Sequence, residues 1–252
     1  MKCPKCQFEQ ADNHTICVSC KLVFSKYFYQ LEQQSKIYTQ DAPNNLKTSD
    51  GASRVFDLIY LRQRLFPEPP ISETGTSLFI RALLIAVIAF YTVKLIAAGK
   101  DSNYAGESFL HLVNLPFHEA GHVFFGIFGQ FIGSLGGTLG QLIMPLICCY
   151  VLLVQQEDAF GAAVAFWWFA ENFVDIAPYI NDARAGILPL VGGSIGKHAP
   201  YGFHDWEYLL SETGLIRYDQ HIAQISHITG SLLMLVALLW ASRLLWLWKR
   251  KL

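Results

Sequence analysis

Residues 123–156 read VFFGIFGQFIGSLGGTLGQLIMPLICCYVLLVQQ, and no Asp, Glu, Lys, Arg or His interrupts this stretch of 34 residues. A helix needs about 20 mostly apolar residues to cross a bilayer. In the whole chain of 252 residues, 52% are hydrophobic and 15% are charged, whereas soluble globular domains carry roughly 25% charged residues. The mean hydropathy is +0.30. The sequence therefore predicts an integral membrane protein and argues against a disordered chain or an ordinary soluble enzyme.

Five segments have the character of membrane helices, and they cover about 78–98, 109–132, 139–154, 159–180 and 228–248. The fold class is thus mainly α, a polytopic bundle of four to five membrane segments. The last segment ends in tryptophans followed by Lys-Arg-Lys at 249–251, which is typical of a cytoplasmic interface. Five full crossings would place this basic end opposite the basic N-terminal region. We therefore expect four crossings and one re-entrant segment, turning near the glycine-rich residues 129–140.

The N-terminal region differs from the rest of the chain in its charge. Residues 1–77 contain nine of the 19 Lys and Arg residues, and the chain opens with the polar MKCPKC instead of an apolar signal-peptide core. We expect this region to be cytoplasmic and the protein to lie in a bacterial inner membrane, with lipid as a partner. The net charge is −1 and the pI about 6.7, so we expect no nucleic-acid partner.

Four of the six cysteines form two C-x-x-C pairs, Cys3 with Cys6 and Cys17 with Cys20. Two such pairs match a tetrahedral four-thiolate zinc site. Twenty residues cannot bury a sufficient core, so the metal must supply the folding free energy. We predict a zinc ribbon with one structural zinc, for which a cytoplasmic protein is the candidate partner. Disulfides are the alternative, but a reducing cytoplasm disfavours them.

These features divide the chain into three parts. Residues 1–22 form the ribbon, residues 23–77 form cytoplasmic amphipathic helices with a linker, and residues 78–252 form the helical transmembrane domain. Within the middle part, helices are expected over 22–38 and 53–66, separated by the turn-rich 40–52.

The second membrane segment contains the motif HEAGH at His118–His122. On a helix, residues four apart lie one above the other, so His118 and His122 can hold one zinc ion through their imidazoles. Glu119 then lies beside the metal and can accept a proton from water. An ionisable residue within a membrane segment is costly and marks a functional site. We predict a catalytic zinc here, with Glu119 as the general base.

A catalytic zinc needs a third protein ligand. The fourth segment offers Glu171, Asp175 and Asp182 on one helical face, and His204 follows in the next loop. Asp175 is the most central of these and is the favoured ligand, while the other three remain alternatives.

The loop over 183–204 is rich in Gly and Pro, and loops of this length are often functional. We expect its ILPLV core, residues 187–191, to cover the site as a lid. Asp205 is interpreted as the N-cap of a short helix over 206–210.

The HEAGH motif in an apolar segment, followed by a glycine-rich turn and a later Asn/Pro/Asp stretch, resembles the site-2-protease class of intramembrane zinc metalloproteases. The resemblance covers about residues 110–185. It implies that His118 and His122 are zinc ligands, that Glu119 is the base, and that the third ligand is Asp175 or Asp182.

We therefore predict an intramembrane zinc metalloprotease (HExxH type) that hydrolyses peptide bonds of a membrane-protein or peptide substrate. The alternative is a non-catalytic metal-binding scaffold or a transporter. A transporter should distribute ionisable residues along several helices, whereas here they concentrate on two, which favours the enzyme.

Overall fold

The computed structural model describes residues 2–6, 8–11, 14–20, 22–28, 61–70, 73–191 and 193–251. This part of the chain is mainly helical, and it contains three isolated β-bridges but no strand. The chain divides into two compact units, Met1–Leu58 and Ile59–Leu252. Helices were predicted over 22–38 and 53–66, and the described residues include only the helical turns at 24–28 and 61–65. The predicted linker lies outside the described residues, and the three-part division stays a prediction.

The first unit contains two hairpins that are built alike. In each hairpin the N–H of a cysteine donates to the carbonyl five residues later, Cys3 to Phe8 at 2.9 Å and Cys17 to Leu22 at 2.8 Å. An isolated antiparallel bridge closes each hairpin, between Lys2 and Glu9 in the first and between Ile16 and Val23 in the second. The two C-x-x-C pairs are therefore presented by equivalent backbone turns.

The second unit contains six helices of eight residues or more within its described residues: α1 (Gly75–Ala98), α2 (Phe109–Gly126), α3 (Gln130–Tyr150), α4 (Ala159–Asn181), α5 (Asp205–Glu212) and α6 (Asp219–Lys249). A π-helical turn, Val151–Gln155, extends α3. Short 3-10 turns occur at Gly196–His198 and Ile216–Tyr218.

Three of these helices are long and apolar enough to span a membrane: Gly75–Ala98, Gln130–Gln155 and Ile216–Lys249. This agrees with an integral membrane protein, whereas the predicted count of four to five segments is not confirmed. The shorter helix α2 and the turn after it nevertheless expose large apolar side chains, among them Phe109, Leu112, Val123, Phe124, Ile127 and Phe128.

Helix α4 lies at the centre of the bundle, and most of its residues are buried between α3 and α6. Its alanines allow this close packing. At the contact with α6, a Cβ on Gly230 would lie 2.7 Å from the Ala170 carbonyl oxygen, so only glycine fits there. The buried position of α4 brings its polar residues into the interior of the bundle.

Helices α2 and α3 form a hairpin whose interface consists of glycines. A Cβ on Gly136 would lie 2.6 Å from the Gly121 carbonyl oxygen, and one on Gly140 would overlap the Phe117 carbonyl oxygen. The small-xxx-small spacing of the sequence therefore corresponds to a close helix contact.

The helix boundaries in this hairpin differ from the prediction. The second segment was expected to reach residue 132 and the third to begin at 139, but the chain turns at Gly129, where φ is 101°, and α3 begins at Gln130. The glycines at 133–140 are helical because their contact with α2 outweighs their low helix propensity.

Candidate metal centres

The four cysteines of the ribbon come together as predicted. Their sulfur atoms all lie within 4.8 Å of one another, with 3.7 Å between Cys3 and Cys20 and 3.6 Å between Cys6 and Cys17. Four thiolates about 2.3 Å from a tetrahedral zinc ion would be about 3.8 Å apart. The cluster therefore fits a metal ion. Within the described residues, the remaining cysteines, Cys148 and Cys149, lie in α3 and take no part in it.

The turn geometry also favours the thiolate form of one of these cysteines. A hydrogen bond from the Phe8 backbone N–H lowers the pKa of Cys6 to about 6, despite the opposing effect of burial. The thiolate is the form that binds metal.

The second candidate metal centre is a cluster of His118, His122 and Asp205, here named the converging cluster, whose ligand atoms lie within 4.8 Å of one another. Oδ2 of Asp205 is 3.1 Å from Nε2 of His118 and 3.3 Å from Nε2 of His122. Both imidazoles therefore direct the same ring nitrogen toward one carboxylate oxygen.

Hydrogen bonds fix the tautomer of His118 through a chain of amides. Nδ2 of Asn172 donates to the Trp168 carbonyl at 2.9 Å, which leaves Oδ1 of Asn172 to accept from Nε2 of Gln141 at 3.1 Å. Oε1 of Gln141 is then the acceptor that faces Nδ1 of His118 at 2.7 Å. Nδ1 of His118 must carry a proton, so in the neutral imidazole Nε2 presents a lone pair.

The second histidine is held in the same way by the backbone. Nδ1 of His122 lies 2.8 Å from the Gly133 carbonyl oxygen, which can only accept. In the neutral form of His122, Nε2 therefore also presents a lone pair to Asp205, whereas in the imidazolium form Nε2 donates to it. Three acceptor atoms converge here, and they repel one another unless a cation, a proton or a metal ion, lies between them. Metal-binding histidines characteristically donate their second ring nitrogen to an oxygen in this manner.

Gly137 of α3 leaves the space that the two imidazoles occupy. A Cβ at this position would lie 2.6 Å from Nε2 of His122 and would overlap Nε2 of His118. The glycine-rich sequence of α3 thus serves the site as well as the helix contact.

Asp205 reaches the histidines from the first residue of α5. The hydroxyl of Tyr179 accepts from the Asp205 N–H at 3.0 Å and lies 3.4 Å from Oδ2 of its carboxylate. Burial raises the pKa of the Asp205 carboxyl, but when the Nε2 atoms of His118 and His122 carry protons, their hydrogen bonds outweigh burial and the net pKa lies below the ordinary value. The carboxylate is therefore present as an anion.

Asp182 and His204, two of the predicted alternatives for the third ligand, lie at the base of the loop that carries Asp205. The carboxylate of Asp182 accepts from the N–H groups of Ile187 and Leu188 at 3.0 and 2.9 Å. Nδ1 of His204 accepts from the Glu207 N–H at 3.2 Å and caps α5, while its Nε2 faces Asp182 at 3.5 Å. These two residues hold the loop and do not belong to the converging cluster.

Asp175 and Glu171, the favoured ligand and the remaining alternative, belong to a separate group with His111 and Asn114, here named the saturated cluster after the donors around Asp175. Oε1 of Glu171 has no hydrogen-bond partner among the described residues. Nδ1 of His111 lies 3.0 Å from Oδ1 of Asp175. Nδ2 of Asn114 donates to Asp175 and to Glu171, at 3.0 Å in both cases. The group that could hold a metal ion with the two histidines therefore contains Asp205 and not Asp175, because the Asp175 carboxylate faces α2 one to two helical turns before His118.

Glu119 is exposed and lines a cavity of about 700 Å³ together with the converging cluster. The cavity is also lined by Leu188, Pro189, Leu190 and Val191. Four residues of the ILPLV segment therefore line the cavity, and the role of the segment as a lid stays a prediction. A small bridge between Pro189 and Ile195 shapes this loop.

Comparisons of the chain with protein-family models, with curated proteins and with solved structures find no match. The assignment of the candidate site therefore depends on its geometry alone. Asp205 was interpreted from the sequence as the N-cap of the short helix, whereas in the structure His204 is the N-cap and Asp205 is the first residue of α5, beside both histidines. The available signal was a carboxylate beside a histidine at the end of a long loop, and it pointed equally to His204.

Proposed function

We propose that the membrane unit is a zinc-dependent protease that hydrolyses peptide bonds of membrane-associated segments, as the resemblance to site-2 proteases implies. The observation that carries the proposal is the converging cluster beside Glu119. Two imidazole nitrogens with free lone pairs and one carboxylate oxygen meet at a single point, and this is a common ligand set for catalytic zinc.

The donor spacing fits the proposed metal. Two ligands bound about 2.0–2.1 Å from a tetrahedral zinc ion are about 3.3 Å apart, and the measured separations from Asp205 are 3.1 and 3.3 Å. His118, His122 and Asp205 would hold the ion. When bound, zinc supplies Lewis-acid activation of a water molecule and of the substrate carbonyl.

Glu119 is proposed as the general base. It follows His118 directly on α2 and does not belong to the ligand group. Its exposed carboxylate on the cavity wall can accept a proton from the attacking water and deliver it to the leaving amine. Tyr179 acts as a positioning residue, because its hydroxyl holds the backbone and the carboxylate of Asp205.

The cavity suits an extended peptide. His111, Leu115, His118 and His122 line it from one face of α2, and a helix segment of this length spans about 16 Å. Roughly five residues of extended chain cover that distance. The lining also contains Leu188 and Leu190, so the site favours an unwound apolar segment over a folded soluble domain.

We further propose that the ribbon cysteines hold a structural zinc ion and that the ribbon contacts a cytoplasmic protein. We also propose that the N-terminus is cytoplasmic and that the protein lies in a bacterial inner membrane. Reporter fusions at both termini should give the same side of the membrane, and opposite sides would contradict this orientation.

The test of the function compares the wild type with Glu119→Gln, purified in detergent and reconstituted with a single-span membrane peptide and with labelled casein. Glu119→Gln keeps the size of the side chain and loses the base, so cleavage should fall by about 10²–10⁴-fold while the zinc content is unchanged. Glu157→Gln, the same change at an exposed site outside the cavity, should leave cleavage intact. Equal cleavage by Glu119→Gln and wild type would overturn the protease proposal in favour of a metal-binding scaffold or transporter.

A further inference from the structure

A second cavity, of about 440 Å³, lies at the end of α6. Its basic lining residues are Arg62, Arg243 and Lys251, and its acidic lining residue is Glu68. Because α6 lies within one of the three membrane-length segments, this cavity sits where a membrane helix reaches the interface. It is separate from the cavity at the converging cluster, because the two cavities have no lining residue in common.

Specific contacts build this cavity. Nε1 of Trp240 donates to the Leu65 carbonyl at 2.8 Å, and Nε1 of Trp248 donates to the Pro67 carbonyl at 3.0 Å. Lys251 forms an ion pair with Glu68. These contacts hold the segment before α1 against α6. As a result, residues from both segments line the same cavity.

Among the described residues, the positive charges that line the cavity outnumber the negative ones. Glu68 pairs with Lys251, which leaves Arg62 and Arg243, both exposed, without a carboxylate partner among the described residues. The guanidinium of Arg243 lies 4.3 Å from the centre of the Trp246 ring, a contact that orients it while its N–H groups remain available. Two guanidinium groups at one opening suit a phosphate, which arginine binds through paired hydrogen bonds.

The apolar part of the lining distinguishes a lipid from a soluble phosphate. Phe66, Leu247 and Trp248 line the same cavity, and the adjacent surface of α6 exposes Leu239 and Val236. A phospholipid places an anionic phosphate directly beside acyl chains, and basic pockets at the ends of membrane helices bind such headgroups. Tryptophans are enriched at the same level of the membrane.

We propose that this cavity binds the headgroup of an anionic phospholipid, with Arg62 and Arg243 on the phosphate and Leu247 and Phe66 against the first part of an acyl chain. The bound lipid would fasten the segment before α1 to the end of α6. This site is independent of the proposed protease activity.

The experiment measures lipid binding to the full-length protein in an uncharged detergent by native mass spectrometry. Dioleoyl-phosphatidylglycerol, dioleoyl-phosphatidylcholine and inorganic phosphate are the three probes. The wild type should retain phosphatidylglycerol in preference to phosphatidylcholine. The double variant Arg62→Gln/Arg243→Gln should bind phosphatidylglycerol more weakly, by about 30-fold, and should lose the preference for phosphatidylglycerol over phosphatidylcholine.

The matched control is Lys197→Gln/Arg217→Gln, which removes two exposed charges away from the cavity and should keep the affinity of the wild type. If the double variant does not fold, Arg62→Gln alone, at an exposed helical turn, should still weaken phosphatidylglycerol binding by about threefold. Equal loss in the control pair, unchanged binding in the Arg62 and Arg243 variants, or displacement of the lipid by an equal concentration of inorganic phosphate would each overturn the proposal.

Discussion

The converging and saturated clusters both combine carboxylates and imidazoles on the inner face of α2. They differ in whether the N–H groups point toward the carboxylates or away from them. In the saturated cluster, Asn114 and His111 direct N–H groups at the carboxylates of Asp175 and Glu171. In the converging cluster, the N–H groups of both histidines point outward, to Gln141 and to Gly133.

The direction of the N–H groups separates the candidate metal centre from a polar packing cluster. The indole N–H of Trp168 donates to Oδ1 of Asn114 at 2.8 Å, which forces Nδ2 of Asn114 toward the two carboxylates. These donors satisfy Asp175 without a metal ion. Asp205 instead faces two lone pairs, which a bound cation stabilises. The residue types alone do not distinguish the two cases, whereas the partners behind each side chain do.

The largest effect on the converging cluster is expected from Gly137→Ala. The added Cβ would occupy the space of both Nε2 atoms, so the membrane-unit metal should be lost while the ribbon metal remains. Gly126→Ala is the matched control, since a Cβ at this helical position meets no atom within 4 Å. Zinc per chain measures the effect, and full zinc content in Gly137→Ala would contradict the location of the metal.

An intermediate effect is expected from Gln141→Leu. Leucine cannot accept from Nδ1 of His118, so the tautomer is no longer fixed, and the affinity for zinc should fall by roughly 10- to 100-fold. Gln141→Glu retains an acceptor at this position and should lose less. Competition with a chelator of known affinity gives both values. Equal affinity in wild type and Gln141→Leu would show that the tautomer of His118 does not depend on this contact.

A smaller effect, on stability rather than on metal binding, is expected from Asn114→Leu. This change removes the donor shared by Glu171 and Asp175 and leaves buried carboxylates unsatisfied, which should cost about 1–3 kcal/mol in the free energy of unfolding. Denaturant titration in detergent measures the loss. A drop in zinc content at unchanged stability would assign the saturated cluster to the metal site. It would contradict the claim that only the converging cluster binds the metal.

The sequence predicted those parts of the molecule that depend on local spacing. The i, i+4 relation placed His118 and His122 on one face of α2, and the four cysteines were brought together by two equivalent hairpins. The position of α4 as a helix with a polar face was also predictable, because the pattern repeats with the helical period.

The carboxylate of the converging cluster was not predictable because its position depends on the path of a loop. Asp205 reaches the histidines through residues 183–204, whose course is set by hydrogen bonds from Ile187 and Leu188 to Asp182 and by the contact with Tyr179. Helical periodicity identified Asp175 as central on α4, but it contains no information on which turn of α2 that residue would face.

The most direct test of the account compares zinc per chain in Asp205→Asn and Asp175→Asn. A neutral amide is a poor zinc ligand, so Asp205→Asn should lose the membrane-unit metal and keep the ribbon metal, a decrease from two ions to one. Asp175→Asn should keep both, because Asp175 is satisfied by His111 and Asn114. Full occupancy in Asp205→Asn together with loss in Asp175→Asn would contradict the assignment and return the third ligand to α4.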